Sequence, residues 1–226
     1  MIASSLAYGR VEQILTSVRK VLDVMGESPA AYLKATAPSR MGRGLGHFKH
    51  RFTSTDDMKQ LMAGMKRIIA EHGSMNACFV THLDSDDDTV LQAACGFADE
   101  IKGHVGSCDF LVPEVGKGSA CKRLNLFLRW MVREDDVDPG GWTGVPATKL
   151  IVPLDTHMFK AGHLLGFTVR KAADMKAALE ITRGFTRMTP EDPVRYDFAL
   201  TRQPIRSDAS MDEVVLALMK TNAGGR

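Results

Sequence analysis

The sequence predicts an all-α protein, and three observations carry that expectation. Apolar residues recur every three to four positions along most of the chain. Ser, Thr or Asp stands ahead of most of these stretches, where a helix cap belongs. No run of alternating or β-branched residues reads as a strand.

Taken in order, Ile2 to Met25 reads as one helix with Leu6, Val11, Ile14, Val18, Val21 and Met25 along one side and Gly26 as its stop. Ser28-Pro29 opens a short helix through Lys34, with proline at its first position. Pro38 to Gly46 is a loop rich in glycine and arginine. Ser54 or Thr55 caps a helix through His72, and Met58, Leu61, Met65 and Ile68 form its inner face. A further short helix covers Met75 to His82. The acidic loop Asp84 to Asp88 lacks the glycine and distal glutamate of a calcium loop and reads as a solvated turn before a helix from Thr89 to about Val105. Glu134 to Trp142 is a loop with Trp142 as a plug, and Thr148 to Val152 is a short extended or single-turn piece. Asp155 caps a helix to Leu165, and Asp174 caps another through Phe185. Thr189-Pro-Glu-Asp opens a further helix towards Leu200. Residues 203–226 are expected to form a loosely attached tail, with a last helix over Met211 to Lys220, on a single domain spanning 1–226.

The element that organises the rest is the stretch Gly118-Ser-Ala-Cys-Lys122 through Arg133. Ser119 is the expected N-cap. Leu124, Phe127, Leu128 and Met131 make one apolar stripe, while Lys122, Asn125, Arg129 and Arg133 line another face. Lys122 falls in the first turn, at the positive end of the helix dipole, a placement that favours the neutral amine a nucleophile needs.

The chain has 226 residues, enough for a substantial core. Hydrophobic residues are 44% and charged residues 25%, so a folded domain rather than a disordered chain is expected. A formal net charge of +2 excludes a strong global field for nucleic acid and leaves room for a local basic face. No apolar run spans a bilayer, and the first ten residues lack the basic front and long apolar core of a signal peptide. A cytoplasmic monomer is therefore expected. Cys78, Cys95, Cys108 and Cys121 form no Cys-x-x-Cys pair, which argues against a zinc site or iron–sulfur cluster and for small buried thiols. His47-Phe-Lys-His50-Arg51-Phe52 interleaves basic and aromatic residues, a mix that holds phosphates and stacks bases. The other reading is a linker anchored in the core by its two phenylalanines.

Several segments resemble a prokaryotic family catalogued as domain of unknown function 2400: Leu6-Ala-Tyr-Gly-Arg-Val11, His50-Arg-Phe52, the Gly118–Arg133 stretch, Pro153-Leu-Asp-Thr-His157 and Asp192-Pro-Val-Arg-Tyr-Asp-Phe-Ala-Leu200. The resemblance covers nearly the whole chain. It implies a further N-terminal stretch ahead of Leu6, so the first helix is expected to expose an apolar face. A more distant likeness carries the chemistry. A turn, a helix with Lys near its start, and a later helix opened by Pro-x-Asp are similar to the helix–hairpin–helix DNA glycosylase superfamily, which includes endonuclease III and archaeal 8-oxoguanine DNA glycosylase. That likeness implies two helical lobes around a central cleft. It places Lys122 on the family's nucleophile and Asp155, 33 positions later, on its assisting carboxylate. Leu154-Asp-Thr-His157 is close to the Val-Asp-Thr-His of endonuclease III. Val112-Pro-Glu-Val-Gly-Lys-Gly118 resembles the Leu-Pro-Gly-Val-Gly hairpin only in part, and the cluster cysteines are absent, so no cofactor is expected.

Base excision requires a flipped nucleotide, an amine to attack C1′ and a carboxylate to take a proton and stabilise positive charge on the sugar. Lys122 and Asp155 are the candidates. Lys117, Gly118 and Ser119, at the turn and helix start, are expected to hold a phosphate. Arg123, His157, His50 and Arg51 are further candidate contacts to damaged duplex DNA, and Arg129 and Arg133 are either phosphate partners or formers of structural ion pairs. Trp130, Phe127 or Phe48 would supply stacking. The rival readings are a non-catalytic nucleic-acid-binding module on the same scaffold, an enzyme acting on modified RNA, and a protein-interaction scaffold. For Lys122 the bland alternative is a solvated first-turn lysine; for Asp155 it is a helix cap.

Overall fold

A computed structural model describes residues 1–103 and 110–202. Cys108, the end of the helix expected to reach Val105, and the tail with its expected helix at Met211–Lys220 lie outside the described residues. The described chain is mostly helical and forms two compact units, residues 1–85 with the described part of 92–114, and residues 86–91 with 115–202.

The first unit opens with α1 (Ile2–Ser5) and α2 (Val11–Met25) rather than one continuous helix. Gly9 has φ +97°, and Tyr8 is drawn aside to donate its hydroxyl to the His50 carbonyl at 2.7 Å. Tertiary bonding thus overrides a helical period that runs unbroken through the sequence. Val11, Leu15 and Leu22 stand exposed on α2. Next comes α3 (Pro29–Ala35), capped by Ser28, whose hydroxyl accepts the Ala31 amide. Two residue pairs that the sequence did not mark as strand form a small hairpin, β1 (Lys49–His50) with β2 (Thr53–Ser54). Arg51 makes its turn at φ 52°, a left-handed conformation uncommon outside glycine.

Ser54 caps α4 (Thr55–His72) in a reciprocal box with Asp57. Then follow α5 (Met75–Thr81), which ends at His82, and α6 (Leu91–Lys102). Phe79 and Phe97 meet edge to face at 5.5 Å, and both are buried, as are Met58, Leu61, Ile68 and Ile101 of α4 and α6. Helix α4 approaches α6 closely at Gly64, where an added Cβ would fall 2.1 Å from the Ile101 carbonyl oxygen.

The second unit is built around α7 (Lys122–Val132). Its C-terminal carbonyls are met by the loop that follows, with the Gly140 amide on Trp130 O and the Trp142 amide on Met131 O. Trp142 packs edge to face on buried Phe127 at 5.3 Å, the plugging role expected of it. The run from Leu150 to Leu154 is buried, and the Val152 amide donates to Thr182 Oγ1 at 3.1 Å. This run delivers Asp155 to the start of α8 (Thr156–Leu164). Helix α9 (Met175–Thr186) is capped by Asp174, and the Ile181 side chain lies over Gly162 of α8, so the two helices pack closely. The last described helix, α10, runs over Asp197–Arg202 and so begins well after the cap expected at Thr189. Thr189 Oγ1 bonds carbonyls of Phe185 and Asp192 in a turn instead.

Candidate functional site

Lys122 is the first residue of α7, and the cap is not Ser119. Cys121 holds that position in the left-handed region at φ 48°, with no side-chain cap bond. Its carbonyl accepts the amides of Leu124 and Asn125, both at 3.0 Å. Ser119 works two residues earlier, its hydroxyl accepting the Cys121 amide at 3.3 Å, so the serine shapes the turn and the cysteine begins the helix. Gly118, at φ +87°, takes the Met175 amide on its carbonyl at 3.1 Å, tying the turn to the start of α9. Lys117, Gly118 and Ser119 are exposed; Arg123 is half-buried.

Asp155 caps α8. Its Oδ1 accepts the amides of His157 at 2.9 Å and Met158 at 2.8 Å. The cap uses one carboxylate oxygen, and Oδ2 takes no part in it. Lys122 and Asp155 both line one cleft of about 350 Å³ within the second unit. Trp130 and Leu126 of α7, Pro153, Phe198 and Thr201 complete much of its wall. Of the aromatics considered for stacking, Trp130 lines this cleft, whereas Phe127 and Phe48 are buried core residues.

The sequence reading passed over Asp197, which lines the same cleft and is 4% exposed. Its Oδ2 accepts from Arg129 Nη1, and its buried Oδ1 has no hydrogen-bond partner. Burial, reinforced by Asp155, pushes the Asp197 carboxyl up to about 6, against the opposing charges of Arg129 and Lys122. Its position in the Asp192–Leu200 segment was the only signal available, and helical spacing alone does not mark it out.

Between the two expectations for Arg129 and Arg133, the structure selects ion pairs. Arg129 is 3% exposed and grips Asp138 through Nη2 at 2.7 Å and Nε at 3.1 Å. Arg133 reaches Asp192 at 2.8 Å and Asp135 at 2.7 Å and also pairs with Asp138. Desolvation works against the Arg133 charge, but its three aspartates outweigh that and raise its pKa above the ordinary guanidinium value. These groups fix α7 rather than present a basic face.

His50 and Arg51 belong to the first unit. His50 does not offer its ring to a ligand: it is 2% exposed, with Nδ1 bonded to Ser17 Oγ at 2.9 Å and Nε2 to Tyr8 O at 3.0 Å. It locks the hairpin to α2 and to the break before it. Arg51 is exposed and lies over the ring of exposed Phe52 at 5.6 Å. In the linker reading both phenylalanines anchor in the core; only Phe48 does. His157 is half-buried beside the Asp155 cap.

The family model described as Protein of unknown function (DUF2400) matches residues 1–206. No curated protein and no solved structure matches the chain. No helix among the described residues is long and apolar enough to cross a membrane.

Proposed function

The chain belongs to the family described as a protein of unknown function (DUF2400), and we propose that it is a DNA glycosylase of helix–hairpin–helix type. In this reading it removes a damaged, and in the first instance oxidised, base from duplex DNA. The observation that carries the reading is the shared cleft: an amine at the first residue of one helix and a carboxylate at the cap of another line one cavity, as the amine–carboxylate pair of that chemistry requires. Its volume of about 350 Å³ lies in the range of small-ligand sites, about 300–1,000 Å³.

The neutral amine of Lys122 attacks C1′ of the flipped nucleotide. The bond from C1′ to the base nitrogen breaks, and its electron pair leaves with the base, which takes up a proton. Asp155 takes the proton lost by the attacking nitrogen and stabilises positive charge on the sugar. Ring opening gives a Schiff base between Lys122 and C1′. Water then hydrolyses it and restores the amine; in the lyase branch the C2′ proton is first lost to water, a C2′–C3′ double bond forms and the 3′ phosphate leaves with the C3′–O electron pair, cutting the strand. Asp197 adds a second carboxylate to the same wall, positioned by Arg129. Lys117 and the turn at Gly118 and Ser119 serve a flanking phosphate.

The test is a panel of duplexes, each with one damaged base, assayed for base release by the wild type, Lys122→Gln and Asp155→Asn. Asn retains helix-capping ability, so Asp155→Asn removes the charge while keeping the cap of α8. Release by the wild type and its loss in both variants is the expected result. No release from any lesion would overturn the reading. The use of Asp155 as a cap favours a second reading, a nucleic-acid-binding module without catalysis. That reading predicts salt-dependent duplex binding that survives both substitutions.

A further inference from the structure

In the first unit, far along the chain from Lys122 and Asp155, His72, Cys78 and Glu100 converge from three helices, and His82 joins them through Glu100. His72 is the last residue of α4, Cys78 lies within α5, His82 ends α5 and Glu100 comes from α6. His72 Nε2 is 2.7 Å from Glu100 Oε2, and His82 Nε2 is 2.8 Å from Glu100 Oε1. One carboxylate is thus gripped by two imidazoles through the same ring atom. The Cys78 sulfur, fully buried, completes the group: the donor atoms of His72, Cys78 and Glu100 all lie within 4.8 Å of one another.

We propose that His72, Cys78, His82 and Glu100 form a zinc site that joins the C-terminal end of α4 to α5 and α6. The donor set argues for the metal. Two imidazoles, one thiolate and one carboxylate suit Zn²⁺, whereas Mg²⁺ and Ca²⁺ take all-oxygen ligands. The spacing argues for the geometry. Tetrahedral Zn²⁺, with bonds of about 2.0–2.3 Å, places its ligand atoms about 3.3–3.8 Å apart. The donor atoms of His72, Cys78 and Glu100, within 4.8 Å of one another, close to this by small rotamer adjustments, and His82, already 2.8 Å from Glu100 Oε1, supplies the fourth ligand by turning its ring towards them. The metal enters between the two imidazoles and the carboxylate and replaces the hydrogen bonds that join them. Two imidazole Nε2 protons and the thiol proton are displaced into solvent or onto the alternative ring nitrogens.

Two features suggest a built site rather than a chance meeting. The imidazole of His82 lies against Gly96, where an added Cβ would fall 2.4 Å from Nδ1. Only a residue without a Cβ leaves room for the ring in this position. The thiol side of the site is also enclosed, with Cys78 fully buried beneath the two imidazoles' shared carboxylate partner. His72, His82 and Glu100 keep between a fifth and a third of their side-chain surface exposed, which gives the ion a way in. The four ligands are protein groups with no place reserved for substrate, so the site is structural. A search for cysteine pairs misses it because only one of the four ligands is a cysteine and the others arrive from separate helices.

The experiment uses the full chain with any affinity tag removed and metals stripped by EDTA. Titration with Co²⁺ is followed by absorption, and Zn²⁺ affinity is measured against a chromophoric chelator. The wild type is expected to bind one equivalent, with a thiolate-to-cobalt charge-transfer band and the intense visible bands of tetrahedral cobalt, both abolished by added Zn²⁺. Cys78→Ser is expected to lose the charge-transfer band, and His72→Gln to bind Zn²⁺ at least about tenfold more weakly. Zn²⁺ is expected to raise the thermal midpoint of the wild type and to raise it less in each variant. A wild-type chain that takes up no Co²⁺ or Zn²⁺, or a Cys78→Ser chain that keeps the band and the affinity, would overturn the proposal. The wild-type titration decides the matter even where a variant fails to fold.

Discussion

Arg129 holds Asp138 through one edge of its guanidinium, Nη2 at 2.7 Å and Nε at 3.1 Å, with both side chains almost wholly buried. The same arginine reaches Asp197 in the cleft wall. A chain of buried charge therefore runs from the loop after α7 to the candidate site, and it sets the rotation of the helix whose first residue is Lys122. Removing one partner strands the other in a low-dielectric interior. Asp138→Asn is expected to lower stability by about 3–5 kcal/mol, read as a fall in the urea midpoint. Unchanged stability would show that the pairs are incidental.

Asp197 gives a pH dependence whose sign is fixed. Its carboxyl is pushed up to about 6 in the folded chain, above the ordinary aspartate value of 3.8. A carboxylate with a raised folded pKa contributes stability that is fully present below the unfolded value and is lost as pH rises through the folded value. The wild type should therefore lose stability relative to Asp197→Asn between pH 4 and pH 7. Denaturant midpoints of both proteins across that window check this, and parallel curves would contradict it.

Helix propensity and packing oppose each other at Gly64. Ala is the better helix former by about 1 kcal/mol. The Ile101 carbonyl, however, stands where its Cβ would go, and backbone has no easy route aside. Gly64→Ala is expected to destabilise by about 1–3 kcal/mol net, seen as a lower thermal midpoint. A higher midpoint would show that α6 shifts freely.

Two residues read alike in the sequence, as basic groups for a phosphate, should behave differently. His50 is satisfied in the core, so His50→Ala is expected to cost about 1–3 kcal/mol of stability through unpaired groups. Lys117 is exposed beside the turn that opens α7, so Lys117→Ala is expected to weaken duplex binding and reduce its salt slope by about 1. Melting curves and binding titrations over a range of salt separate the two.

The same contrast shows how far the sequence could be read. Periodicity and caps located α3, α4, α8 and α9 to within a few residues, because Ser28, Ser54, Asp155 and Asp174 cap through bonds made locally, and periodicity alone placed α5, whose cap Ser74 the structure adds. The break between α1 and α2 was not legible, since it depends on Tyr8 meeting His50 forty-two positions away. The start of α7 was misplaced because Cys121 adopts a left-handed conformation that its side chain does not advertise. For the candidate site, Lys122 and Asp155 were legible from their setting in family-like segments. Asp197 was not, because its significance lies in burial beside Arg129, and the convergence of His72, Cys78, His82 and Glu100 arises only when α4, α5 and α6 pack.

The most direct test of the central claim is borohydride trapping on a lesion-bearing duplex that the wild type processes. Reduction fixes the Schiff base as a stable covalent adduct. The account predicts a trapped protein–DNA species for the wild type, none for Lys122→Gln and a strongly reduced yield for Asp155→Asn, with both variants folded. A Lys122→Gln protein that traps as well as the wild type, or a wild type that forms no adduct on any lesion, would contradict it.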